Sequence, residues 1–187
     1  SRVYSYNLST KEKKLVKEQE IPSGHNPDDY IVERVDCKSH DGRLVPLTIT
    51  MHKNTKLDGS AQLLLYGYGS YGSSMSPSFS TTRLSLINRD IIWVTAHIRG
   101  GMERGMKWWK EGKLLNKKNT FEDYIASAKY LIENKYTSKN QIIGMGGSAG
   151  GLLMGAVVNQ APELFLGIIM AVPFVDSLTT NLDHSLP

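Results

Sequence analysis

The sequence predicts an α/β protein with a parallel sheet covered by helices on both faces, its first two sheet strands antiparallel. Three observations carry this prediction. Short apolar runs alternate with segments of helical period from residue 61 onward. Two β segments joined by an Asp-Gly turn precede them. A glycine-rich turn joins a late strand directly to a helix. Strand–helix alternation implies parallel pairing, because each crossover lays a helix on one face of the sheet.

Residues 3–8 and 13–20 alternate in polarity around Ser9-Thr10-Lys11-Glu12, the pattern of an edge hairpin. Ile21-Pro22-Ser23-Gly24-His25-Asn26-Pro27 holds two prolines and a glycine, so a linker and a boundary are expected there, dividing 1–24 from 25–187. Residues 30–38 and 43–52 flank Ser39-His40-Asp41-Gly42, an Asp-Gly hairpin signal. Residues 61–66 and 91–96 are short apolar runs, as buried strands are, with a helix expected near 79–88 between them. Gly100-Gly101 breaks the chain before a mixed segment with Trp108, Trp109, Leu114 and Leu115.

The clearest helix is 120–134. Phe121, Tyr124, Ile125, Ala128, Leu131 and Ile132 fall on one face, and Thr120 with Asp123 resembles a capping box. Residues 141–145 form a strand, 149–160 a helix and 167–172 a last strand.

Composition excludes several classes. With 40% hydrophobic and 21% charged residues the chain is globular. The net charge of +4 is uneven: residues 1–120 hold 19 basic and 12 acidic residues, residues 121–187 hold 3 and 6. Lys11, Lys13, Lys14 and Lys17 are interleaved with Glu12, Glu18 and Glu20, which reads as a solvated strand face, and no nucleic-acid partner is expected. No apolar run approaches the roughly 18 residues of a membrane span. The one cysteine, Cys37, excludes an internal disulfide. Residues 1–6 lack a leader's apolar core, so a cytoplasmic location is expected. His25, His40 and His52 have no ligand spacing, and no metal is expected.

Gly146-Gly147-Ser148-Ala149-Gly150 fits G-x-S-x-G between a strand and a helix, the setting of a nucleophile elbow. Such a turn is tight enough to demand glycines and lifts the serine hydroxyl above the sheet. The helix N-terminus behind it favours developing negative charge. Counted from Tyr30, strand 141–145 is the fifth, where the elbow belongs in an α/β-hydrolase plan. Gly67, Gly69 and Gly72 also match G-x-G-x-x-G. A dinucleotide site is rejected, because Ser73-Ser74-Met75-Ser76-Pro77 intervenes before any helix and Asp90 precedes the next strand; no cofactor is expected.

Leu65-Tyr66-Gly67-Tyr68-Gly69-Ser70-Tyr71-Gly72, His97-Ile98-Arg99-Gly100-Gly101-Met102-Glu103-Arg104-Gly105 and Gly146-Gly147-Ser148-Ala149-Gly150-Gly151-Leu152 together resemble the prolyl oligopeptidase family of serine peptidases. Asn159-Gln160-Ala161-Pro162-Glu163-Leu164-Phe165 and Val172-Pro173-Phe174-Val175-Asp176 are most similar to its oligopeptidase B (protease II) branch. The resemblance implies Ser148 as nucleophile, with the Tyr68 hydroxyl and the Ala149 backbone N–H as the oxyanion hole. It implies Tyr71 as an aromatic residue of the primary specificity pocket, Arg99 and Glu103 as framework, and cleavage of short peptides after Lys or Arg. It makes the 3–20 hairpin the last blade of a β-propeller.

A hydrolase triad runs Ser, then acid, then His along the chain. After Ser148 come only Glu163, Asp176, Asp183 and His184, and the adjacent Asp183–His184 pair is a poor triad. His97 lies upstream, out of order. The resemblance puts the triad Asp and His beyond Pro187, so the expectation is a truncated α/β-hydrolase, inactive by itself. Strand 167–172 would then have an apolar open edge that invites self-association. An esterase and a non-catalytic assembly partner remain the alternatives.

Overall fold

A computed structural model describes residues 1–186. The hairpin forms as expected: β1 (Arg2–Tyr6) pairs antiparallel with β2 (Lys13–Glu18) in a sheet of two strands, every residue of which is exposed.

The main sheet has six strands. β3 (Tyr30–Lys38) and β4 (Leu44–His52) make the antiparallel hairpin, turned by Gly42. β5 (Leu63–Tyr66), β6 (Ile92–Ala96), β7 (Ile142–Gly147) and β8 (Phe165–Ala171) follow, and the spatial order is β3-β4-β6-β5-β7-β8. β6, β5, β7 and β8 pair in parallel, while β4 runs antiparallel to both its neighbours. The C-terminal ends of β5, β6 and β7 therefore open on one side of the sheet, where the loops after them meet.

Helices lie on both faces, as the alternation predicts. α1 (Thr81–Ile87) connects β5 to β6; α3 (Lys118–Glu133) connects β6 to β7; α4 (Ala149–Gln160) connects β7 to β8. Leu63, Leu65, Ile92, Val94 and Ile142 form one core with Tyr124, Leu131 and Leu153 of α3 and α4. Each such side chain, fully buried, contributes on the order of 1.5–3 kcal/mol. The alternate sheet residues Leu64, Tyr66, Trp93, Ile143 and Met145 face α1 across an open cavity of about 630 Å³.

One expectation is corrected, and two helices are added. α3 begins at Lys118, so Thr120 and Asp123 make no capping box. The Thr120 hydroxyl donates instead to the carbonyls of Arg99 (2.8 Å) and Gly112 (3.2 Å), and Asp123 is wholly buried against Arg99. Tertiary partners outcompete a local cap here because burial makes an unpaired carboxylate costly. The segment read as mixed contains α2 (Met106–Lys110), which buries Trp108. A short α5 (Ser177–Leu182), unforeseen in the sequence, is capped by Asp176, whose side chain accepts from the Thr179 N–H at 3.0 Å.

Candidate active site

The geometry is built by close approaches of backbone. At the end of β7 the chain reverses into α4 so tightly that a Cβ on Gly146 would lie 2.3 Å from the Gly150 carbonyl oxygen. Only glycine fits there. Between them Ser148 is held at φ 56°, ψ −116°, a strained region for a residue with a side chain. Its backbone is tied on both sides: its N–H donates to Ala171 O (2.9 Å), and its carbonyl accepts from Gly151 (2.9 Å) and Phe174 (3.1 Å).

Ser148 stands at the N-cap of α4, where serine usually bonds a first-turn N–H. It makes no side-chain cap here, and the residue is exposed. The strained backbone thus presents the hydroxyl outward instead of spending it on the helix. Ala149, buried, opens α4 and leaves its N–H at the positive end of the helix dipole.

The loop after β5 touches this turn. A Cβ on Gly150 would lie 2.8 Å from Gly67 O and 3.4 Å from the Tyr68 ring. The loop carrying Tyr68 therefore packs against the first turn of α4, which Ser148 and Ala149 open. Burial raises the pKa of the Tyr68 phenol, with the phenols of Tyr71 and Tyr66 adding to the shift, so it stays a donor well above neutrality. Tyr71 projects from the same loop, 78% exposed, on a backbone with φ 56°.

Behind the loop lies a polar cluster. Arg99, 1% exposed, donates from Nε to Asp123 Oδ2 (2.8 Å), from Nη2 to Asp123 Oδ1 (2.6 Å) and from Nη1 to Asp41 Oδ2 (2.5 Å). Asp123 also accepts from the Ser39 hydroxyl (2.6 Å) and the Arg99 N–H (3.0 Å). Burial alone would lower the Arg99 pKa, but the bonds to Asp123 and Asp41 reverse this and raise it. The cluster supports the Gly100 turn (φ 96°). A Cβ on Gly100 would collide with the Gly69 carbonyl at 1.9 Å, and Gly100 O accepts from Gly72 N at 2.9 Å.

His97, Glu103, Asp176 and Asp183 have partners of their own. His97 is buried, its Nε2 2.8 Å from the Thr48 hydroxyl and its Nδ1 3.5 Å from Glu103. Glu103 accepts from the Met75 N–H at 2.8 Å. Asp183 accepts from both the N–H and the hydroxyl of Ser185, and Asp176 caps α5. Nothing in the sequence joins Asp41, Ser39, Thr120 and Asp123 into one cluster; locally they read as a hairpin turn and a capping box.

Comparison with known proteins gives the family. A model of the prolyl oligopeptidase family matches residues 77–187. Dipeptidyl aminopeptidase BI of Pseudoxanthomonas mexicana is 47% identical over 185 residues, covering 98% of this chain and 25% of that protein. Protease 2 of Moraxella lacunata is 45% identical over 184 residues, covering 98% and 27%. The structure of oligopeptidase B from Leishmania major superposes with a TM-score of 0.93 at 42% identity, over 100% of this chain and 26% of that one. The chain spans about a quarter of the length of the relatives it matches. With a family model over more than half its residues, the chain belongs to the prolyl oligopeptidase family.

Proposed function

We propose that this chain carries the nucleophile and oxyanion hole of a serine oligopeptidase. The observation that carries the reading is Ser148, exposed on a strained turn at a helix N-terminus with its hydroxyl unused as a cap. Ser148 Oγ attacks the scissile carbonyl and loses its proton to a base. The carbonyl oxygen becomes an oxyanion held by the Tyr68 hydroxyl and the Ala149 N–H. The protonated base then gives its proton to the departing amine, leaving an acyl-enzyme that water hydrolyses by the same steps. Donors preorganised at the oxyanion contribute most where they are fixed before reaction, and the tied backbone around Ser148 supplies that fixity.

The triad Asp and His are supplied from outside residues 1–187. Two of the three acids after Ser148, Asp176 and Asp183, are engaged locally, the adjacent Asp183–His184 pair is a poor triad, and His97 is enclosed against Thr48. Tyr71 lines the pocket for the side chain before the scissile bond, and the likeness to oligopeptidase B supports short peptides cut after Lys or Arg. The β1–β2 hairpin (within 1–24) is the end of a β-propeller ahead of the hydrolase part (25–187), in keeping with a separate two-stranded sheet whose apolar residues Val3 and Val16 are exposed. A cytoplasmic location suits the single, buried, unpaired Cys37. No helix among the described residues is long and apolar enough to cross a membrane.

Hydrolysis of an Arg-amide peptide by the full-length peptidase bearing this segment, abolished by Ser148→Ala, is the expected result. Residues 1–187 alone are expected to show no turnover. Hydrolysis that survives Ser148→Ala, or Ser148-dependent turnover by the 187 residues alone, overturns the respective half of the proposal. The isolated 187 residues are also expected to self-associate through β8, an edge strand paired only with β7 that exposes Leu166, Ile169 and Met170. A single monomeric boundary in sedimentation at high concentration is the contrary outcome.

A further inference from the structure

The loop that carries Tyr68 and Tyr71 is held by more than the Gly100 turn. Lys117, at the N-cap of α3, sends its ammonium into this loop and donates to the Gly69 carbonyl at 2.6 Å and to the Ser70 hydroxyl at 2.8 Å. The acceptor carbonyl belongs to the peptide that leads away from Tyr68 toward Tyr71. Among the described residues no carboxylate pairs with this cation; its nearest aromatic neighbour, Phe121, lies 6.0 Å from the ammonium.

Burying a cation without an anion costs free energy, and a methionine of similar length would avoid that cost. What the ammonium does here is fill two acceptors of one loop. That loop needs outside support. Gly69, Tyr71 and Gly72 all have positive φ (70°, 56° and 67°), so it cannot be held by a repeating backbone ladder. Its far side rests on the Gly100 turn, and its near side on Lys117. Burial pushes the Lys117 amine down to about 8, so at neutral pH it retains its proton and its full set of donors.

We propose that Lys117 is a positioning residue of the peptidase reaction: its ammonium fixes the Gly69–Ser70 peptide and thereby holds the Tyr68 hydroxyl beside Ser148. The inference rests on the roles proposed above for Ser148 and Tyr68. It also predicts which kinetic constant moves. A misplaced oxyanion donor is felt in the transition state more than in substrate binding, so kcat falls and KM changes little.

The test uses the full-length peptidase bearing this segment. Lys117→Met is expected to lower kcat about tenfold, since small displacements of a catalytic group are costly, and Lys117→Arg to restore most of it. In a Tyr68→Phe background the same Lys117→Met change is expected to cost less than about twofold, because the group it positions is gone. Hydrogen exchange of residues 67–72 is expected to quicken in Lys117→Met and not in Lys117→Arg. Should Lys117→Met fail to fold, Ser70→Ala removes one acceptor and is expected to show a smaller loss with the same dependence on Tyr68. An equal loss in both backgrounds, or unchanged kcat and unchanged loop exchange, overturns the proposal. Failure of the underlying reading has a different signature, hydrolysis that survives Ser148→Ala, and the exchange measurement does not depend on it.

Discussion

Arg99 and Ser148 each lie just past the end of a parallel strand, β6 and β7, yet their surroundings are opposite. Arg99 is buried, and its guanidinium binds two carboxylates, one of them wholly enclosed. Ser148 is exposed, its backbone strained and its hydroxyl without even the capping bond its position offers. A buried charge must find partners inside the fold, so the Arg99 cluster is explained by stability alone. No stability argument explains Ser148, because its conformation costs energy and its side chain repays none of it. The contrast separates framework from chemistry without reference to any relative.

Substitutions sharpen this contrast, and the largest effect is expected at Ser148. Ser148→Ala in the full-length peptidase is expected to reduce kcat by on the order of 10⁶ while moving the unfolding free energy by no more than about 0.5 kcal/mol. Activity assays beside thermal melts read both; a marked loss of stability would mean that the serine is structural after all.

Arg99→Met should behave in the reverse way. It strands Asp123 without its cation and is expected to cost about 3–5 kcal/mol, seen as a large drop in the denaturant midpoint. If the variant melts like the parent, the cluster is not the support described here.

Tyr68→Phe falls between the two. Loss of one oxyanion donor is expected to lower kcat by about 10²–10³ with stability preserved. Because the Tyr68 phenol has a raised pKa, its donor is present throughout the neutral range and is lost only as pH rises through that raised value. The parent should therefore lose activity on a strongly alkaline limb that Tyr68→Phe lacks, and identical limbs in both would exclude the phenol as donor.

The smallest effect is expected at Asp41→Asn. Burial, the largest single influence, would raise this carboxyl's pKa, but the hydrogen bond from Arg99, the Arg43 N–H bond and the Arg99 charge together outweigh it and leave the value depressed. A depressed pKa means that the carboxylate stabilises the fold above its unfolded-state value, and that the gain disappears as pH falls through the folded value. The Asp41 side chain is 35% exposed, so solvent screening limits the contribution to about 0.5 kcal/mol. Melts of Asp41→Asn and parent should converge on acidification; a gap that widens in acid contradicts the assignment.

The order of the strands β3 to β8 and of α1, α3 and α4 was legible in the sequence because its signals are local. Apolar runs mark β5 and β6, Asp41-Gly42 marks the first hairpin, and the glycine spacing around Ser148 marks a turn that tolerates nothing larger. The meeting of the loop after β5 with the start of α4 was also legible, since loops after parallel strands gather at one side of a sheet. The polar residues of α3 were misread for a physical reason. Thr120 and Asp123 look like a capping box, and both are fully buried. Their partners include the Ser39 hydroxyl and the Arg99 backbone, both far away in sequence.

What the sequence determined by itself was therefore whatever depends on backbone sterics and on the period of apolar residues: strands, helices and the strained turn at Ser148. Tertiary structure alone decided the insertion of β6 between β4 and β5, the joining of Arg99 to Asp41 and Asp123, and the reach of Lys117 into the Tyr68 loop. Those depend on where distant polar groups end up when water is excluded, and a buried charge takes whichever partner the packing brings within reach.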